Sequence, residues 1–346
     1  MADQIVSRHI ALDAMGGDFA PKNEILGAID ALKELGPDSG VTIDLYGDEQ
    51  SIQSYLRSLG AEQLPIRVVH CDEVVGMHDD PAMAIKKKKN SSLIRGMNDH
   101  KQEFVQAFVS AGNTGAVMSA GTLILGRIKG VSRPTIGTFL PSITKAPVLL
   151  VDAGANVDCK PKFLYEFAVM GSIYYREIIG KEHHNDTPKV GLLNVGEEEV
   201  KGNEVTLEAF ALLKASSAIH FIGNVEGRDI LLHGADVIVC DGFTGNIVLK
   251  FAESVIKFLK IRFQAFAGTS IFNKALMAIV APVLRTVLKD MDYQQYGGVP
   301  LLGVNGVVII GHGSSSPLAI KNMILRADEM IRKNINADIA NALATP

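Results

Sequence analysis

The sequence is poor in aromatic residues and in cysteine. Tryptophan is absent from all 346 residues, and Phe, Trp and Tyr together make up 6%. That composition disfavours the aromatic stacking platforms that bind single-stranded nucleic acid. The three cysteines, Cys71, Cys159 and Cys240, are an odd number without a CxxC pair. Neither a disulfide framework nor a structural zinc site is therefore expected.

The sequence also lacks an excess of positive charge. Lys and Arg number 34 against 38 Asp and Glu, a net charge of −4, which argues against a nucleic-acid partner. The first eight residues carry no basic segment followed by an apolar one, so we expect no signal peptide and a cytoplasmic protein. No GxxxxGK[ST] motif occurs, and no GxGxxG follows the first strand, which disfavours P-loop NTPases and standard dinucleotide-binding folds.

Short apolar segments alternate with helical patterns along most of the chain. Several segments are apolar throughout, as strands covered on both faces are. Repeated strand–helix–strand units predict a mostly parallel sheet with helices on both sides, and no clean domain boundary is visible. The predicted strands are 9–12, 41–46, 66–70, 104–109, 148–151, 190–193, 220–222, 237–240 and 307–310.

Glycine-rich polar loops follow seven of these strands. In open parallel sheets, ligands bind outside the carboxyl ends of the strands, so we expect the seven loops to meet at one edge and form a ligand site. Tight turns and helix caps explain any single loop equally well. The loops are 13–18, 110–115, 152–156, 194–196, 223–227, 241–246 and 311–315.

Several of these loops lead into predicted helices, at Thr114, Asn246 and Ser314. Helix N-termini present free N–H groups and a partial positive charge, which favours an anionic ligand such as phosphate. His312 lies between two glycines at a strand end and is a candidate for contacting substrate, although a lone histidine is more often structural. The acidic residues at strand ends are explained equally well as caps, so no metal site is predicted.

A basic run, Lys86 to Lys89, is followed by Arg95. Such a run is typical of a solvated helix face. It is also suited to steering an acidic protein, or to reaching a phosphate at the sheet edge.

Residues 263–284 form a long apolar segment with a single charge, Lys274, and basic residues on both sides. Gly268 and Pro282 interrupt it, so two amphipathic helices joined near 268–273 are predicted rather than a membrane span. An apolar hairpin with basic flanks fits an interfacial membrane anchor and a homodimer interface equally well.

Ten ordered motifs extend over nearly the whole chain, and on them the sequence resembles the bacterial PlsX-type phosphate acyltransferases of phospholipid synthesis. Phe19 departs from the pattern, because the family often has His or Tyr there. The motifs are IALDAMGGDFAP (10–21), KKKNSS (87–92), SAGNTGA (110–116), GRIKGVSRP (126–134), DAGANVDCKP (152–161), GLLNVGEEEVKGNE (191–204), FIGNVEGRDIL (221–231), CDGFTGNIVLK (240–250), YGGVPLLGVNG (296–306) and GHGSSS (311–316).

The resemblance implies the transfer of a long-chain acyl group from acyl carrier protein to inorganic phosphate, without a cofactor. The acyl phosphate then passes to a membrane glycerol-3-phosphate acyltransferase. The implied fold is a three-layer α/β/α sandwich, similar to isocitrate and isopropylmalate dehydrogenases, with residues 1–346 as one domain. The resemblance also implies a homodimer that is cytoplasmic and peripherally associated with the membrane. We assign residues 251–296 to a protruding helical hairpin for dimer or membrane contact.

Candidate residues follow from the loops, the basic residues and the apolar segment. The catalytic candidates are His312, Asn194, Lys201 and Asn224. Phosphate or substrate binding is assigned to Asp13, Gly16, Gly17, Asn113, Thr114, Gly115, Asn156, Gly242, Thr244, Gly245, Asn246 and Ser314. Carrier-protein docking is assigned to Lys86, Lys87, Lys88, Lys89, Arg95, Arg262 and Arg285. Membrane contact is assigned to Ile271, Phe272, Leu276, Met277, Ile279 and Val280.

Three alternatives stay open. A phosphotransacetylase-like enzyme would use acyl-CoA, and only the resemblance separates the two acyl donors. A decarboxylating dehydrogenase of the same fold is disfavoured, because nothing in the sequence indicates a nicotinamide site. A non-catalytic scaffold for lipid enzymes at the membrane surface is supported only by the apolar segment.

Overall fold

The computed structural model describes residues 7–183, 185–287 and 293–344. In this part of the chain, eleven strands form one sheet in the order β3-β2-β1-β4-β11-β10-β5-β6-β9-β7-β8. The strands are β1 (Arg8–Asp13), β2 (Val41–Gly47), β3 (Ile66–His70), β4 (Ala107–Ser110), β5 (Thr135–Leu140), β6 (Val148–Val151), β7 (Lys189–Leu193), β8 (His220–Val225), β9 (Val237–Val239), β10 (Val299–Leu302) and β11 (Val307–Ile310). The helices are α1 (Lys22–Leu35), α2 (Glu49–Ser58), α3 (Pro81–Lys87), α4 (Ser92–Lys101), α5 (Thr114–Ala120), α6 (Pro161–Tyr175), α7 (Glu204–Ala215), α8 (Gly242–Gly268), α9 (Ile271–Val287), α10 (Pro317–Arg332) and α11 (Ile335–Ala344).

The sheet carries one hydrophobic cluster on one face and two on the other, which confirms the three-layer α/β/α sandwich. Strand β1 shows why, since side chains along a strand point alternately to its two faces. Ile10 and Leu12 belong to the core that α1, α6 and α10 cover. Ala11, between them, belongs to the core that α4 and α5 cover. All three side chains are fully buried, as the uninterrupted apolar run predicts.

The expectation that all seven loops meet at one edge is wrong, because the two halves of the sheet run in opposite directions. Strands β3, β2, β1, β4 and β11 are mutually parallel, and so are β6, β9, β7 and β8. Between these halves, β10 is antiparallel to β11 and to β5, and β5 is antiparallel to β6. The carboxyl ends of the two halves therefore point to opposite edges.

A stagger between the halves still brings some of these strand ends together. Ile310, the last residue of β11, pairs with Val299 at the start of β10. The loop after β6 begins beside Ile136, which pairs with Leu301 in β10. The two strand ends are thus only two residues apart along β10, and a cleft forms between them.

Helices α8 and α9 pack against each other and expose an apolar surface. The turn falls at residues 269–270, within the predicted interval. Phe272, Leu276, Ile279 and Val283 follow the spacing of one helix face and are all exposed. Within the described residues, none of the helices has the combination of length and apolar character that crossing a bilayer demands.

Candidate active site

A cleft of about 310 Å³ lies where the two halves of the sheet meet. Loops from both halves line it: those after β4 and β11 on one side, and those after β6 and β9 on the other. Polar groups and an apolar wall are both present, which suits a ligand with an anionic head and an acyl chain. The polar lining includes Thr114, Asn246, Lys250, Glu253, His312 and Ser315, and the apolar lining includes Ile136, Phe139, Leu249, Val299 and Met323.

His312 is held in one orientation by its own loop. The backbone N–H of Ser314 donates to Nδ1 of His312 at 3.2 Å, and Ser314 Oγ lies 2.8 Å from the same nitrogen. Because a backbone N–H can only donate, Nδ1 must accept, and the neutral ring then carries its proton on Nε2. The exposed imidazole is therefore arranged as a hydrogen-bond donor at the cleft.

The loop after β1 is supported by a buried carboxyl group. Asp13 is 2% exposed and accepts from Ser110 Oγ at 2.8 Å, while Ser110 Oγ accepts from the backbone N–H of Gly112 at 3.0 Å. Burial raises the pKa of Asp13 above its usual value. A Cβ on Gly16 would lie 2.4 Å from Asp13 Oδ2, so this position requires glycine. Asp13 and Gly16 thus shape the loop from beneath.

A second buried carboxyl group, Asp152, organises the opposite side of the cleft. Its two oxygens accept the backbone N–H groups of Gly154, Ala155 and Asn156 at 2.7–3.1 Å. Asn156 Nδ2 also donates to Asp152, and to Pro134 O at 2.8 Å. Burial raises the pKa of Asp152. Asn156, predicted to bind substrate, is therefore committed to holding this loop.

Backbone and carboxylate oxygens of the protein accept the N–H groups at the N-terminus of α8. Gly242 N–H donates to Asn156 O at 2.7 Å, and Thr244 N–H and Oγ1 both donate to the Asp241 carboxylate at 2.8 Å. Gly245 N–H donates to the backbone oxygen of Asp241. These predicted anion donors are already used, and Asn246 is the residue of this loop whose side chain lines the cleft.

Asn113 fastens the loop before α3 to the start of α5, beside the cleft. Its Oδ1 caps α5 by accepting Ala116 N–H at 3.0 Å, and its Nδ2 donates to the carbonyls of Gly76, Met77 and Asp79 at 3.0–3.3 Å. A direct contact from Asn113 to phosphate would break these bonds. Thr114, the next residue, is exposed and lines the cleft, and Gly115 packs against Pro81 of α3.

Asn194, Asn224 and Lys201 lie together, but away from the cleft. Asn194 Nδ2 donates to Asn224 Oδ1 at 3.1 Å and to Lys201 O at 3.0 Å, and Asn224 Nδ2 donates to Glu198 O at 2.9 Å. Asn194 and Lys201 follow β7 and Asn224 lies in β8, and these two strands are the outermost of their half. The structure therefore does not bring three of the four catalytic candidates to His312.

Some of the basic residues predicted to dock a partner are exposed to solvent, and others are bonded within the protein. Lys86, Lys87 and Lys89 are exposed at the end of α3, whereas Lys88 binds Asp79 at 2.5 Å. Arg95 donates to His70 O at 2.8 Å. Arg262 is exposed on α8, and the side chain of Arg285 lies outside the described residues.

The candidate membrane residues all lie on α9. Ile271, Phe272, Leu276 and Ile279 are exposed, and Met277 and Val280 are half-buried.

Three residues that line the cleft are not among the candidates predicted from the sequence. They are Lys250, Glu253 and Tyr296. Lys250 donates to Glu253 at 2.9 Å across the cleft face of α8. Lys250 and Glu253 lie four and seven residues after Asn246. That spacing places the three residues on one helix face, so the sequence could have indicated Lys250 and Glu253. Tyr296 comes from a distant part of the chain, and no spacing rule would have brought it here.

The thiols are not activated nucleophiles, and the described acidic residues do not group as a metal centre. Burial raises the pKa of Cys71 and of Cys159 to about 12 and that of Cys240 as well, so these thiols stay protonated at neutral pH. Within residues 7–183, 185–287 and 293–344, no three His, Cys, Asp or Glu side chains group as metal ligands would.

Comparison with known proteins decides the family. The family model described as "Fatty acid synthesis protein" matches residues 8–338. The chain belongs to this family. The phosphate acyltransferase of Desulforamulus reducens is 49% identical over 337 residues, which are 96% of this chain and 97% of the relative. That of Dictyoglomus turgidum is 44% identical over 334 residues, 96% and 97% of the two chains. The expected enzyme class, an acyltransferase, is confirmed.

Solved structures share the fold at low sequence identity. A phosphotransacetylase from Staphylococcus aureus superposes with a TM-score of 0.60 at 16% identity and covers 94% of each chain. A branched-chain phosphotransacylase from Enterococcus faecalis gives 0.57 at 13% identity, over 93% of this chain and 99% of that one. These likenesses confirm the α/β architecture.

Proposed function

We propose that this acyltransferase moves a long-chain fatty acyl group from acyl carrier protein to inorganic phosphate, giving acyl phosphate for phospholipid synthesis. The observation that carries the proposal is the cleft, in which His312, Thr114 and Asn246 face an apolar wall. The phosphate acyltransferases among its relatives support the use of phosphate. No nucleotide motif competes with this assignment in the sequence.

The chemistry is a direct displacement at a thioester. A phosphate oxygen bonds to the carbonyl carbon, a tetrahedral oxyanion forms, and the carbon–sulfur bond then breaks to release the carrier thiolate. Inorganic phosphate is present as both monoanion and dianion at neutral pH, so the enzyme mainly positions it and stabilises the oxyanion. His312 Nε2–H donates a hydrogen bond to phosphate or to the departing thiolate sulfur. Asn246 and Thr114 supply polar contacts from opposite halves of the sheet.

A thiol-release assay tests this function and separates the acyl donors. Palmitoyl-acyl carrier protein and palmitoyl-CoA are each incubated with enzyme, with and without inorganic phosphate. Phosphate-dependent release from the carrier protein, with acyl phosphate as product, is the expected result. Release from CoA alone would identify a phosphotransacetylase-like enzyme. No release from either substrate would leave a scaffold role.

Charge reversal at Lys86, Lys87 and Lys89 should raise the KM for acyl carrier protein roughly fivefold or more at low salt and weaken its salt dependence. The carrier protein is acidic, and these exposed lysines lie at and just beyond the end of α3, which contacts α5 at the cleft. Steady-state kinetics over a range of ionic strength measure both effects, with kcat expected to hold. Lys33→Glu, an exposed lysine on α1, is the matched control. An unchanged KM in the triple variant would remove these lysines from docking.

The α8–α9 hairpin is our candidate for peripheral membrane contact. Changing Phe272 and Ile279, 73% and 75% exposed, to Asp should lower binding to anionic phospholipid vesicles at least tenfold. Sedimentation with vesicles measures this, and Val195→Asp is the control because Val195 is equally apolar and 82% exposed on a distant loop. Full vesicle binding accompanied by dissociation of a dimer in light scattering would assign the hairpin to self-association instead.

A further inference from the structure

Glu24 is a buried carboxyl group at the junction of three glycine loops. It lies in the first turn of α1 and is 1% exposed. A Cβ built on Gly17 would lie 2.6 Å from Glu24 Oε1, 3.5 Å from Gly313 O and 3.7 Å from Ala111. Gly17, Gly313 and Ala111 belong to the loops after β1, β11 and β4, and Gly313 directly follows His312. Glu24 therefore supports the cleft from beneath without lining it.

The environment of Glu24 favours a neutral carboxyl group. Its Oε2 is fully buried and has no hydrogen-bond partner. Burial, and to a lesser degree the charge of Asp13, raise the pKa of Glu24 to about 8. An ionised carboxylate with an unpartnered buried oxygen is costly, whereas a protonated one is tolerated.

We propose that Glu24 is a positioning residue that limits the negative charge below the phosphate loops while it is protonated. The inference rests on the phosphate site proposed above. When Glu24 ionises, two buried carboxylates, Glu24 and Asp13, lie under loops that must hold an anion. Charges in a poorly solvated interior interact strongly, so phosphate binding weakens as Glu24 loses its proton. Phosphate binding must by the same linkage favour the protonated form of Glu24.

Among the described residues, no cation lowers the pKa of Glu24. Asp13 ends β1 and Asp18 lies in the loop that follows it. His312, whose Nδ1 faces Ser314, comes from the loop after β11. Lys22 precedes Glu24 on α1 itself. On α10, the helix packed most closely on α1, Lys321 binds Glu34 at 2.6 Å. On β2, Asp44 binds Arg67.

The test compares the wild type with Glu24→Gln, a neutral isostere. The KM for inorganic phosphate is measured from pH 7 to pH 9.5, and the ratio of wild type to variant cancels the ionisation of phosphate itself. We expect that ratio to rise roughly fivefold across this range. Calorimetric titration with inorganic phosphate at pH 8.5, in two buffers of different ionisation enthalpy, should show proton uptake by the wild type and none by the variant. Glu34→Gln, on the same helix and exposed, should behave as the wild type does.

Each outcome bears on the proposal. A flat KM ratio with a folded variant would assign Glu24 to packing alone. Should Glu24→Gln fail to fold, the calorimetry of the wild type decides, because phosphate binding without proton uptake at pH 8.5 overturns the inference. Absence of phosphate binding at every pH would instead refute the proposed function, so the two failures are distinguishable.

Discussion

Replacing His312 with Ala should lower kcat roughly 10²-fold, with a smaller effect on the KM for the acyl donor. The imidazole is fixed by Ser314 with its proton on Nε2, and that donor is lost in the variant. The group acts on charge that develops at phosphate or on the departing sulfur, so its removal costs most in the transition state. Steady-state kinetics with saturating phosphate measure the effect.

Two further variants test whether the loss of kcat in His312→Ala is specific to this imidazole. His220→Ala changes an exposed histidine outside the cleft and should leave kcat unaltered. Ser314→Ala removes the hydroxyl beside Nδ1 but leaves the backbone N–H that fixes the tautomer, so a loss of less than tenfold is expected. Wild-type turnover in His312→Ala would end the assignment of this residue to catalysis. A trapped acyl-enzyme adduct would replace direct attack with a covalent route.

Nine strands and the layered architecture are predictable from the sequence, because buried apolar runs followed by polar glycine loops are a local signal. The two strands it misses are β5 and β10. Pro300 stands inside β10, a position where proline normally argues against a strand, and β5 contains Gly137 and follows Pro134. These two strands reverse the sheet. Without these two antiparallel strands the sheet would be parallel throughout, and the seven loops would lie at one edge.

The sequence also does not predict which polar side chains of the loops face the cleft. Sequence identifies loops rich in Asn, Asp and Gly, and four of the seven do meet at the cleft. It cannot tell which polar groups face a ligand and which hold the loop, since both uses favour the same residue types. Asn113 and Asn156 turned out to be anchors, whereas His312 and Asn246 line the cleft.

Gly245→Ala should abolish most phosphate-dependent turnover and lower the free energy of unfolding by about 3 kcal/mol. An added Cβ would lie 1.9 Å from Asp152 O and 3.0 Å from Cys240 Sγ. Neither neighbour can yield cheaply, because Asp152 is fully buried and its carboxylate organises the loop through Asn156. Any shift that relieves the contact moves Ala153 and Gly154, which line the cleft. Activity assays and denaturant unfolding measure the two consequences.

The same helix provides the control for this prediction. Gly268 ends α8, and a Cβ there would meet no atom within 4 Å. Gly268→Ala is thus the same chemical change on the same helix without the steric conflict, and should leave turnover and stability within experimental error of the wild type. If the two variants had the same turnover and stability, the loop after β6 would be able to shift without cost. The close approach of α8 to Asp152 would then not be what fixes the shape of this side of the cleft.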